Sequence, residues 1–112
     1  MRLEPRQSRA RFDVYRNPFA AERAHTPFVL DVQNDHLGPL GSRVVIPLRA
    51  PQGYGTPARG LNPVLDLQGT AVVLDTAALA PVHSHLLKTP FWRADPWRDE
   101  VLDALDTLFG SH

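Results

Sequence analysis

The chain has 112 residues, enough for one domain that buries a core without staples. Hydrophobic residues make up 43% and charged residues 21%, ordinary for a folded soluble domain, and the lack of cysteine excludes disulfide and thiolate chemistry. Twelve Lys and Arg balance twelve Asp and Glu, which argues against a protein that grips nucleic acid through its overall field.

Residues 1–10 (MRLEPRQSRA) carry no periodicity and are expected to form a flexible extension ahead of a single domain over 11–112. The stretch is Arg-rich with no apolar run behind it, so it does not read as a secretory signal. No apolar run is long enough to cross a bilayer, and a cytoplasmic protein is expected.

From Arg11 to Tyr15, Phe12 and Val14 alternate with Arg11, Asp13 and Tyr15, the pattern of a half-buried strand. Asn17-Pro18 breaks it, and the chain reads as loop or wide hairpin connection to Pro27. A second strand, Phe28 to Gln33, places Phe28, Leu30 and Val32 on one face and Val29, Asp31 and Gln33 on the other. Asn34-Asp35 opens a turn that runs through Gly38, Pro39 and Gly41. Val44, Val45, Ile46 and Leu48 form a third strand, in which Pro47 predicts an edge, a bulge or a strand end.

Residues 49–60 (RAPQGYGTPARG) form the longest loop. Val64–Leu67 and Thr70–Leu74 then flank Gln68-Gly69, a connection suited to a hairpin. Ala77 to Pro81 turns the chain, and Val82 to Leu87 reads as a last short strand. The terminal helix is the clearest element. Asp95 is suited to the N-cap and Pro96 to the first helical position. Trp97, Val101, Leu105 and Leu108 recur at helical spacing, with Leu102 and Phe109 widening the stripe, and Gly110 is placed to cap the end. Short strands followed by one helix predict a mainly β, α+β domain: a small barrel or curled antiparallel sheet with a C-terminal helix packed on it.

Little in the sequence points to catalysis. His83 and His85 would share one face of a strand, but no third and fourth ligand stand at suitable spacing for zinc. Neither a nucleophile elbow nor a phosphate loop between strand and helix is present, so no metal, cofactor or catalytic residue is expected. Trp92 and Trp97 flank the start of the helix, as anchors onto the sheet or as a partner-binding hot spot. Arg2, Arg6, Arg9, Arg11 and Arg16 load the front of the chain; Asp95, Asp99, Glu100, Asp103 and Asp106 load the back. These read as a solvated arm and the polar face of a helix, or as an acidic face that chooses a basic partner.

Several blocks, in order, resemble the CcdB family of toxins. Arg11-Phe-Asp-Val-Tyr15 is similar to the family's opening x-Phe-x-Val-Tyr strand, and Phe28-Val-Leu-Asp-Val-Gln-Asn-Asp35 to its Phe-Val-Asp-Val-Gln-Ser-Asp stretch. Arg43-Val-Val-Ile-Pro-Leu48 resembles its Arg-x-Val-Ile-Pro-Leu strand, Leu61-Asn-Pro-Val-Leu65 its Leu-x-Pro-Val segment, and Ala80-Pro-Val82 a later x-Pro-Val. Asp-Val-Gln-x-Asp followed about ten residues on by Val-Ile-Pro-Leu is the most specific of these.

The resemblance implies an SH3-like barrel, a two-fold homodimer and no enzymatic activity of its own. It implies a toxin that binds the A subunit of DNA gyrase and traps it on cleaved DNA, contacting neither nucleic acid nor membrane directly. It also implies neutralisation by an antitoxin whose disordered C-terminal segment folds on binding. Carried onto this chain, the gyrase contacts are Asp106, Phe109, Gly110, Ser111 and His112 of the tail, with His36 and Leu37 of the turn after the second strand. The tail departs from the family's Phe-Trp-Gly-Ile ending. Aligning the chain ends and helix register sets Phe109 on the family's Phe and Gly110 on its Trp; the other alignment sets Phe109-Gly110 on Trp-Gly. Two alternatives follow: a diverged member that binds antitoxin without poisoning gyrase, and a MazF-type endoribonuclease toxin on the same barrel. The second needs a positive groove with acid–base residues around a phosphate.

Overall fold

The computed structural model describes residues 9–37 and 40–110. Most of the expected N-terminal extension lies outside these residues. Arg9 and Ala10 are tied down: Arg9 Nε donates to the Leu87 carbonyl at 3.1 Å, and the Ala10 N–H to Asp13 Oδ2 at 2.9 Å.

Among the described residues, seven strands form one antiparallel sheet: β1 (Asp13–Arg16), β2 (Phe28–Asp31), β3 (Ser42–Arg49), β4 (Val64–Leu67), β5 (Thr70–Leu74), β6 (Ala80–His83) and β7 (Trp92–Arg93). Their order is β4-β5-β3-β2-β1-β7, with β6 also on β3. The sheet curls into a nearly closed SH3-like barrel, and one helix, α1 (Arg98–Phe109), follows it. The expected fold class is the observed one.

Pro47 is not at an end or an outer edge. β3 is the central strand, and Pro47 lies where its partner changes from β6 (at Ser42 to Val45) to β5 (at Leu48 and Arg49). The Pro47 carbonyl accepts the Asp75 N–H at 3.0 Å. A residue without an N–H is tolerated there because that stretch of β3 faces the gap between two partner strands. At the predicted hairpin, Gln68 (φ 53°) and Gly69 (φ 91°) both take positive φ, the requirement of a type I′ turn.

The helix stripe is confirmed and sharpened. Val101 and Ala104 are fully buried, Leu102 and Leu105 pack partly against the main core, and Phe109 points away at 70% exposure. The main core fills the space between α1 and the sheet with Val14, Leu30, Ile46, Leu48, Leu65, Val72 and Leu74. Trp92 and Trp97 pack on it, and Trp97 Nε1 donates to the Asp66 carbonyl at 3.2 Å, so both serve as anchors.

Three expectations need correction. Asp95 does not cap the helix; its carboxylate is held by Arg93, and a 3-10 turn over Asp95–Trp97 precedes α1. The last predicted strand ends at His83, where a 3-10 turn over Ser84–Leu86 begins, and β7 adds a strand that two residues of sequence could not announce. The first strand is buried on both faces: Tyr15 is 2% exposed, in a second cluster with Val29, Val45 and Leu87 on the side away from α1. Alternation predicts only one buried face, and the second is covered by residues distant in sequence.

Candidate functional site

The turn after β2 is built by polar side chains buried within the sheet. Asp31 and Arg43 lie on the paired strands β2 and β3 and are 0% and 1% exposed. Arg43 Nε and Nη2 donate to Asp31 Oδ2 and Oδ1 at 2.8 and 2.9 Å, a bidentate contact. Gln33 sits between them and the turn. Its Nε2 donates to the Leu37 and Ser42 carbonyls, both at 3.1 Å, and its Oε1 accepts the Val44 N–H at 3.0 Å. Asp35 accepts the Arg11 N–H at 2.8 Å and lies 3.6 Å from Arg43 Nη2. Gln33 thus holds the backbone of the turn directly, and Asp35 ties the turn to the chain ahead of β1.

Burial is the main influence on the Asp31 carboxyl and raises it above its ordinary value, against the opposing pull of Arg43. Burial alone would lower Arg43, but the hydrogen bonds and charges of Asp31 and Asp35 together outweigh that and leave it raised.

On this frame His36 and Leu37 form a single exposed 3-10 turn over Asp35–Leu37. Leu37 is 48% exposed, and the neighbouring Leu40 52%. His36 lines a hollow with Asp35, Arg93, Asp95 and Arg98, at the start of the helix. Arg93 bridges the carboxylates of Asp95 and Asp13 there, and its hydrogen bond holds the Asp95 carboxyl below its usual value.

The tail residues sit at the other end of α1. Asp106 and Phe109 are exposed, and Gly110 (φ 76°) closes the helix by donating its N–H to the Asp106 carbonyl at 2.7 Å. The expected glycine cap is present. Ser111 and His112 lie outside the described residues. Arg98, which lines the hollow with His36, and Phe109 stand at opposite ends of the 12-residue α1, about 16 Å apart at 1.5 Å per residue. One protomer therefore does not gather His36 and Leu37 with Phe109 and Gly110 into a single patch.

His83 and His85 do not share a strand, since β6 ends at His83; their rings stack at 5.6 Å across the following turn. No group of three metal-ligating side chains exists among the described residues.

In the sequence Asp31 and Gln33 share a strand face with Val29 and carry no assigned role. The signal that could have exposed their role is the pair of polar residues at i and i+2 beside Val29, with an arginine on the next strand.

A nearly closed antiparallel sheet, one terminal helix on its core and a polar network that stiffens a surface turn define a small SH3-like barrel. The family model described as CcdB protein matches residues 11–110, and the chain belongs to the CcdB family. Membership supports its being the toxin component of a toxin–antitoxin system. No curated protein matches the chain. No helix among the described residues is long and apolar enough to cross a membrane.

Proposed function

We propose that the protein is a gyrase-directed toxin, a two-fold homodimer that binds the A subunit of DNA gyrase and traps it on cleaved DNA. The observation that carries this reading is Phe109. It is a large aromatic side chain at 70% exposure on the last turn of α1, off the face that Val101 and Ala104 bury, in the tail where the resemblance places the contact. Buried aromatic anchors of this kind dominate protein interfaces, typically at ~2 kcal/mol or more each. A target that touches both Phe109 and the His36–Leu37 turn must span the length of α1 or meet two protomers. A two-fold dimer offers each element twice to a target that is itself two-fold. The antitoxin partner is a disordered C-terminal segment that folds on binding, and the toxin acts by binding rather than by catalysis.

The test is calorimetric titration of the purified protein into the dimeric A-subunit fragment of gyrase. One toxin dimer per gyrase dimer, with binding lost on deletion of Gly110 to His112 and the fold retained, supports the reading. Absence of binding by a folded dimer favours a diverged member that keeps the antitoxin contact alone. The Gly110-Ser-His ending, in place of Trp-Gly-Ile, gives that second reading its weight.

A further inference from the structure

On the face of the sheet away from α1, the start of β2, the end of β3 and the chain just after β5 meet and bring three polar side chains together. Arg49 Nε donates to Asp75 Oδ2 at 2.8 Å, and Arg49 Nη1 to the Thr26 hydroxyl at 2.6 Å. His25 Nδ1 lies 2.8 Å from the same hydroxyl, and the His25 carbonyl accepts the Ala50 N–H at 2.9 Å. Thr26 is 1% exposed, so the arginine is braced against a fixed point. Two bonds, at Nε and Nη1, set the plane of the guanidinium, and Nη2 is not used in either of them.

That arginine forms one end of a hollow of about 490 Å³, the size of a small-ligand site. Val29, Val45 and Val82 line its apolar part, and Phe19 lines it at 47% exposure. Asp75, which offsets the arginine's charge, is not part of the lining. Glu22 is, with its carboxylate accepting from Asn17 Nδ2 at 3.3 Å.

We propose that this hollow binds a nucleotide unit, with the phosphate on the Nη2 edge of Arg49 beside His25 and the base on the valine floor against Phe19. A guanidinium held in one plane matches phosphate geometry and loses little freedom on binding. An exposed aromatic ring beside an apolar floor accepts the flat face of any base. The balanced net charge argues against a protein that holds nucleic acid by its field, but a single oriented arginine acts locally. The shared chemistry, one base and one phosphate, belongs both to a free nucleotide and to a single-stranded RNA.

The experiment is an amide-shift titration of the whole protein with adenosine monophosphate, with a single-stranded RNA hexamer and with inorganic phosphate. The expected result is saturable shifts at Thr26, Val45, Ala50 and Val82, with phosphate alone binding more weakly. Arg49→Gln weakens binding about tenfold, the scale of a lost charge-assisted hydrogen bond. Phe19→Ala, at an exposed site, weakens it severalfold and keeps the test open if the arginine variant does not fold. Tighter binding of the hexamer assigns the site to a strand, and equal or tighter binding of the mononucleotide assigns it to a free nucleotide. The proposal is overturned if neither nucleotide ligand shifts these residues, if shifts appear only around Arg11 and Arg98, or if both variants bind as well as the parent.

Discussion

Arg43 grips Asp31 with two parallel hydrogen bonds of 2.8 and 2.9 Å in a place where neither side chain reaches solvent. The pair crosses from β3 to β2 and stands behind the turn that carries His36 and Leu37. Arg43 Nη1 is buried with no hydrogen-bond partner among the described residues, so the pair is not fully compensated.

Arg43→Met should therefore destabilise the fold strongly, by about 3–5 kcal/mol, because it strands a buried carboxylate. The double variant Asp31→Leu with Arg43→Met should recover much of the loss, since two apolar side chains leave no charge to compensate. Urea denaturation of the two variants checks this, and a double variant no better than the single would show the pair to be net stabilising.

The pH dependence has a defined sign. Asp31 holds its proton more tightly folded than unfolded, so stability falls as pH rises from the usual aspartate value of 3.8 through the higher folded value. Asp95 is held low and works the other way; its smaller contribution, screened at the surface, is lost as pH falls through its folded value. Relative to Asp31→Asn, the parent protein should lose stability over that rising window and then level off. A difference that grows with pH would mean that Arg43 outweighs burial.

Gln33→Ala removes a carboxamide that serves two carbonyls and one N–H. A cost of about 1–3 kcal/mol is expected from the backbone groups left unpaired. Hydrogen exchange should quicken at Val44, whose N–H loses its acceptor, while the core strand β5 stays protected.

Phe109→Ala separates binding from folding. At 70% exposure its loss should change stability by less than about 0.5 kcal/mol. Binding to the gyrase fragment should weaken by ~2 kcal/mol or more, about thirtyfold. Val101→Ala, at a fully buried position, should do the reverse, lowering stability by roughly 2 kcal/mol.

Gln68→Gly should stabilise the β4–β5 hairpin by roughly 0.5–1 kcal/mol, because Gln68 holds φ 53° where a side chain is strained. Thermal unfolding checks it. A lower melting temperature would mean that the entropy lost with glycine outweighs the strain relieved.

By itself the sequence determined the parts whose causes are local. The strands at Phe28 and Val44, the Gln68-Gly69 hairpin, the helical stripe from Val101 to Leu108 and the Gly110 cap follow from periodicity and backbone preference over a few residues. What tertiary structure decided depends on residues far apart in the chain. Asp95 satisfies every local rule for an N-cap, yet Arg93 captures its carboxylate while also reaching Asp13, 80 positions away. Asp31 and Gln33 alternate like a solvated face, and only pairing with β3 shows that Arg43 and the turn backbone bury them. Thr26, Arg49 and Asp75 are unremarkable in sequence and meet because three strand ends converge. Local patterns are encoded by neighbours in the chain; charge partners and hollows are created by which strands lie side by side.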